Sequence, residues 1–156
     1  MPATLNRSIK SFEIVSTDDS LTHLTDGLGQ WLVLYFYPKD STSGCSLQAE
    51  TFTAALDEFK QLGAQILGVS RDSLKSHEKF IEKLSIGYPL ITDPDEKLCQ
   101  YFDVMKEKSM YGRKYMGIER STFIIDPEGV LRSEWRNVKV KGHVDEVLLQ
   151  LTSLQS

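Results

Sequence analysis

The chain has 156 residues, 40% of them hydrophobic and 26% charged, the size and make-up of one globular domain with a substantial core. Its net charge of −4 is spread over interspersed acids and bases, with no basic tract to follow a nucleic-acid backbone. The first ten residues lack a secretion signal's apolar segment. The longest apolar run, Trp31 to Pro38, falls far short of the ~20 residues that span a bilayer, so a cytoplasmic protein away from membranes is expected. No repeat or linker divides the chain, and residues 1–156 are expected to form a single domain.

Phe12 to Val15 reads as a short strand, followed by a polar turn region. Trp31-Leu-Val-Leu-Tyr-Phe-Tyr37 is continuous, β-branched and aromatic, the profile of a central strand buried on both faces. After a polar loop, Phe52, Leu56, Phe59 and Leu62 recur at helical spacing, and Gly63 provides a stop. Ala64 to Ser70 is a second core strand, Ser73 to Leu84 a helix, and Tyr88 to Thr92 a short strand. Asp93-Pro94-Asp95-Glu96 predicts a capped helix start, with the helix running to about Phe102. Lys106 to Gly117 reads as a basic, glycine-containing loop. Arg120 to Asp126 and Val130 to Trp135 form a hairpin around Asp126-Pro-Glu-Gly129, and Val144 to Leu154 is an amphipathic closing helix. This alternation predicts an α/β fold, a central mixed β-sheet flanked by helices. A thioredoxin-like arrangement fits, although propensity alone does not single it out.

Only two cysteines occur, Cys45 and Cys99, too few for a disulfide framework. The three histidines have no metal-ligand spacing, so cysteine chemistry in this chain is expected to be redox or nucleophilic, with no metal and no cofactor. Cys45 sits where a loop leaving the C-terminal end of a core strand enters a helix, the edge at which open α/β sheets place their sites. A helix N-terminus offers unpaired N–H groups and the positive end of the dipole. A free cysteine of pKa ~8.5 is only about 3% thiolate at neutral pH, so a working nucleophile needs such help, and a nearby arginine would add to it. Thr42, one turn earlier, can bring its hydroxyl to the sulfur or to an incoming oxygen. Pro38 restricts the loop entrance. By position alone, Cys45 reads equally as a small packing residue; Pro38, Thr42 and Gly44 around it favour the nucleophile.

Pro38-x-x-x-Thr42-x-x-Cys45 at the end of a Leu-Tyr-Phe-Tyr strand resembles the active-site signature of the peroxiredoxins. The wider pattern resembles their bacterioferritin-comigratory, or peroxiredoxin Q, subfamily. It includes Leu67-Gly-Val-Ser70, Tyr88-Pro-Leu-Ile-Thr-Asp93, Tyr111-Gly112, Gly117-Ile-Glu-Arg120-Ser-Thr-Phe-Ile-Ile-Asp126 and Gly129, and spans roughly Trp31 to Leu149. The resemblance implies a thioredoxin fold and reduction of hydrogen peroxide and organic hydroperoxides, with thioredoxin or a small thiol as reductant. Cys45 takes the peroxidatic position, Thr42 and Pro38 the pocket positions, and Arg120 that of the arginine polarising thiolate and peroxide. Relatives of this type imply a monomer.

The chain also departs from the pattern. Ser43 and Ser46 replace the more usual Pro and Thr. The subfamily's two common resolving-cysteine positions are Glu50 and the helix containing Phe80 and Ile81, and neither carries a thiol. Cys99 is the remaining internal candidate. At ~100° per residue it lies ~60° from Phe102, at the margin of that helix's buried stripe, and a packing role is favoured over a resolving one. The expectation is a one-cysteine mechanism closed by an external thiol. Two other readings compete: a thioredoxin-type thiol–disulfide oxidoreductase, for which Cys45-Ser-Leu-Gln48 lacks the second cysteine, and a peroxide sensor oxidised once to signal. The lysines and arginines of the 106–117 loop are expected to be mainly a solvated face, and His23, His77 and His143 surface residues.

Overall fold

A computed structural model describes residues 2–27 and 29–156. The central sheet has six strands: β1 (Val15–Ser16), β2 (Trp31–Phe36), β3 (Ala64–Ser70), β4 (Leu90–Thr92), β7 (Ser121–Ile125) and β8 (Leu131–Trp135). Their spatial order is β1-β4-β3-β2-β7-β8. β2, β3 and β4 run parallel, while β1, β7 and β8 are antiparallel to their neighbours. The helices are α1 (Ser43–Ala54), α2 (Leu56–Gln61), α3 (Leu74–Leu84), α4 (Lys97–Tyr101) and α5 (His143–Leu154). The chain is thus an α/β structure built on a mixed sheet.

Each central strand is buried on both faces, so period-2 alternation sorts its side chains into two cores. Leu32, Leu34 and Phe36 join Leu67, Val69, Phe102 and Phe123 on one side. Val33, Tyr35 and Tyr37 join Phe52, Phe59, Phe80 and Leu151 on the other. Burying whole aromatic side chains on both sides holds β2 rigid up to the point where it releases the Pro38 loop.

Several local expectations change. The helix read around Phe52 to Leu62 breaks at Ala55 into α1 and α2. The 106–117 loop is a hairpin, with β5 (Met105–Met110) paired to β6 (Arg113–Ile118) as a separate two-stranded sheet. Asp93 does cap α4, accepting from the N–H groups of Leu98 and Cys99, but the helix begins only at Lys97, after Glu96 in the left-handed region. His77 and His143 are buried, against the surface expectation.

Candidate active site

β2 ends at Phe36, and the chain turns through Pro38 to Ser41, the last at φ 65°, before α1 begins. Thr42 is extended (φ −80°, ψ 154°), and its carbonyl accepts the N–H of Ser46. That makes Thr42 the N-cap and puts Cys45 in the first turn. The Thr42 hydroxyl donates to the Lys39 carbonyl at 3.0 Å, and so spends its proton away from the sulfur while keeping lone pairs to accept. Among the described residues no side chain caps the first-turn N–H groups, which stay available to an anion. Cys45 itself is only 2% exposed, packed in the core that contains Tyr35 and Phe52.

Arg120 comes from the opposite direction. It immediately precedes β7, whose Ser121 pairs with Phe36, so the sheet register sets it beside the end of β2. Its Nη2 lies 3.4 Å from Cys45 Sγ, and its Nη1 donates to Gln48 Oε1 at 2.6 Å. Gln48 is fully buried one turn along α1 from Cys45, so one helix face presents both partners to one guanidinium. The planar fork can serve two acceptors at once in a fixed geometry. Gly44 makes the approach possible: a Cβ there would stand 3.2 Å from Nη2. Gln48 was missed in the sequence, although its spacing of three from Cys45 was the available signal. Its Nε2 has no partner among the described residues.

The loop between Pro38 and Thr42 is anchored from below. Asp40, 6% exposed, accepts from Tyr37 Oη (2.6 Å), Ser76 Oγ (2.8 Å) and His77 Nδ1 (2.8 Å). Its own N–H donates to Asp72 Oδ2 at 2.8 Å. His77, fully buried on α3, turns Nε2 to the Ile91 carbonyl at 2.9 Å, so both ring nitrogens face acceptors. Burial alone would raise the Asp40 carboxyl; hydrogen bonds from His77, Tyr37 and Ser76 outweigh it and hold the group below the usual range.

Cys99 belongs to the other core, with the sheet between it and Cys45. Burial, reinforced by the Asp93 carboxylate, pushes its thiol far above the usual range, so it is held as a neutral thiol. A cavity of about 320 Å³ opens beside Arg120, lined also by Pro38, Lys106 and Lys108. A larger groove of about 850 Å³, lined by Arg7, Lys10, Lys97 and Tyr101, has neither cysteine in its lining. Chemistry, more than volume, marks the smaller one. A thiolate beside a guanidinium and free helix N–H groups can attack an O–O bond while the cation stabilises charge building on the departing oxygen.

Residues 5–134 match the AhpC/TSA family. Peroxiredoxin Bcp of Xanthomonas campestris pv. campestris is 56% identical over 130 residues, 83% of this chain and 81% of that protein. Peroxiredoxin Bcp of Bacillus subtilis is 44% identical over 99% of this chain and 98% of its own length. A solved structure of the X. campestris bacterioferritin comigratory protein, studied for its alkyl peroxide reduction activity, superposes with a TM-score of 0.86 at 49% identity, covering 93% and 92% of the two chains. The chain belongs to the AhpC/TSA family as a thioredoxin-fold peroxiredoxin of the Bcp, or Q, type, a thiol-dependent peroxidase.

Proposed function

We propose that Cys45 is the peroxidatic nucleophile and that the cycle uses no second cysteine of this chain. The thiolate attacks one oxygen of the hydroperoxide: an S–O bond forms, the O–O bond breaks, and the departing alkoxide or hydroxide takes up a proton. Cys45 is left as a sulfenic acid. Arg120 stabilises both the thiolate and the departing oxygen, Thr42 accepts a hydrogen bond from the incoming hydroperoxide, and Pro38 and Gly44 shape the approach. The single observation that carries this reading is the 3.4 Å contact of Arg120 Nη2 with a sulfur in the first turn of α1.

An external thiol, thioredoxin or a small-molecule thiol, then displaces water from the sulfenic acid and a second thiol releases Cys45. Cys99 serves as a packing residue. The same reading has the enzyme acting on hydrogen peroxide and organic hydroperoxides as a monomeric single domain in the cytoplasm, where reducing surroundings keep both thiols free.

The test is peroxide consumption with excess dithiothreitol. Wild type and Cys99→Ser should turn over many equivalents and Cys45→Ser none. Consumption that stops after one equivalent would mark a sensor, and full activity in Cys45→Ser would remove the nucleophile from this position.

A further inference from the structure

The β5–β6 hairpin stands apart from the main sheet and ends at the active-site mouth. Its register pairs Lys106 with Gly117, Lys108 with Tyr115 and Met110 with Arg113. Cross-strand partners share a face, so within the paired strands one face carries Lys106, Lys108, Met110, Arg113 and Tyr115 and no acid. The opposite face carries Glu107, which pairs with Lys114 at 3.6 Å. On the acid-free face Gly117 has no side chain, and Lys108 and Tyr115 lie across it, within 3.4 Å of where a Cβ would be. Met110 is 56% exposed and Tyr115 43%, and Tyr111 at the tip is 98% exposed. Large exposed apolar side chains concentrated beside cations on one short element are the composition of a protein-docking surface. Lys106 and Lys108, from the same face, line the cavity beside Pro38 and Arg120, together with Glu107 and Glu119.

We propose that this face of the hairpin is where the protein that reduces oxidised Cys45 docks, and that the partner is a dithiol reductant with an acidic surface and an apolar centre around its nucleophilic thiol. The inference rests on the peroxidase reading given above, with Cys45 as the only redox thiol. Cys99 lies in the opposite core, so electrons must come from outside, and a sulfur only 2% exposed demands a partner held close. The partner's thiolate forms an S–S bond to Cys45 as the S–O bond breaks, and the departing hydroxide takes up a proton and leaves as water. Its second thiol then attacks that disulfide, so Cys45 departs as thiolate and the partner leaves oxidised. A cationic face favours an acidic partner chiefly through the association rate, which salt then suppresses.

The experiment compares two reductants on the same variants: an acidic bacterial thioredoxin, recycled by its reductase, and dithiothreitol. Arg113→Glu and the double variant Arg113→Glu/Tyr115→Ser should lower kcat/KM for thioredoxin about tenfold or more and flatten its salt dependence, as a charge reversal at a docking surface does. Lys114→Glu, on the other face, should change it less than about twofold. Turnover with dithiothreitol should be unchanged in all three. Wild-type kinetics with thioredoxin in the double variant, or an equal loss in Lys114→Glu, overturns the docking face. A wild type that thioredoxin cannot reduce but dithiothreitol can overturns the partner. Absence of dithiothreitol-driven turnover in wild type would fault the underlying peroxidase reading instead.

Discussion

Arg120 grips Cys45 and Gln48 with the two ends of one guanidinium, 3.4 Å from the sulfur and 2.6 Å from the amide oxygen. Because the acceptors sit one turn apart on α1, the cation is fixed relative to the helix that carries Cys45. Replacing Arg120 with Ala should lower kcat/KM for hydrogen peroxide by about 10²–10³, the usual cost of removing a group that meets transition-state charge. Lysine, a point charge without the fork, should recover only a small part. Stopped-flow peroxide reduction by the prereduced variants measures both. A loss below about fivefold in Arg120→Ala would separate this arginine from the chemistry.

Gly44 gives a test in which activity and stability part company. Alanine is the better helix former by up to about 1 kcal/mol, so Gly44→Ala should melt at or slightly above the wild-type temperature. Its Cβ would meet Nη2 at 3.2 Å, tighter than ordinary contact, and the guanidinium must yield by a few tenths of an ångström. A several-fold fall in peroxide kcat/KM with an unchanged KM for dithiothreitol is the expected result. Undiminished activity would show that Arg120 tolerates displacement.

The core strands were legible in the sequence because Trp31 to Tyr37 and Ala64 to Ser70 are buried on both faces, and continuous apolar runs advertise that. The β5–β6 hairpin was not, since most of its middle and tip is exposed on both sides and no alternation marks it. Its turn residues, Tyr111 and Gly112, both at positive φ, were the one local clue. The burial of His77 depends on Asp40, 37 positions away, and a pairing across such a distance leaves no periodic trace. Cys45 and Arg120 could be named from motifs. The fork to Gln48 and the opening left by Gly44 required coordinates.

Cys99 should be chemically silent in the folded protein. It is fully buried, and burial together with Asp93 holds it as the neutral thiol; the thiolate is the reactive form. Iodoacetamide at pH 8 should therefore add one label to the native protein, at Cys45, and a second only after denaturation. Intact-mass and peptide mapping decide the matter. Rapid native labelling of Cys99, or a 45–99 disulfide as the main product of one equivalent of peroxide, would reopen its resolving role.

Asp40 and His77 hold the active-site loop against α3 through a contact that is 0% exposed on one side and 3% on the other. Asp40→Asn removes the charge on which the donors of Tyr37, Ser76 and His77 converge, and losing a hydrogen bond to a charged group costs about 1.5–3 kcal/mol. The Asp40 carboxyl is held below its ordinary value, so its contribution is present above the unfolded pKa of about 3.9 and is lost as the pH falls through the lower folded value. Urea unfolding should show a wide gap between wild type and variant at pH 7 that closes in acid below about pH 4. A gap that persists unchanged into strong acid would assign the loss to packing rather than to the charge.

His143 supplies the opposite kind of titration. Its Nε2 lies 2.7 Å from Thr122 Oγ1, and burial, with the Arg120 charge as a lesser cause, lowers its pKa to about 4. Unfolded, the ring would titrate near 6.5, so between those values the unfolded chain binds the additional proton. The stability that keeping His143 neutral contributes is complete above about pH 6.5 and is lost as the pH falls toward 4. His143→Gln retains a partner for Thr122 and has no such titration. The wild-type unfolding midpoint should drop more steeply from pH 7 to pH 5 than the variant's, and the ring resonances of His143 should stay those of neutral imidazole throughout. Parallel pH profiles for the two proteins would mean that the imidazole is protonated as readily in the fold as outside it.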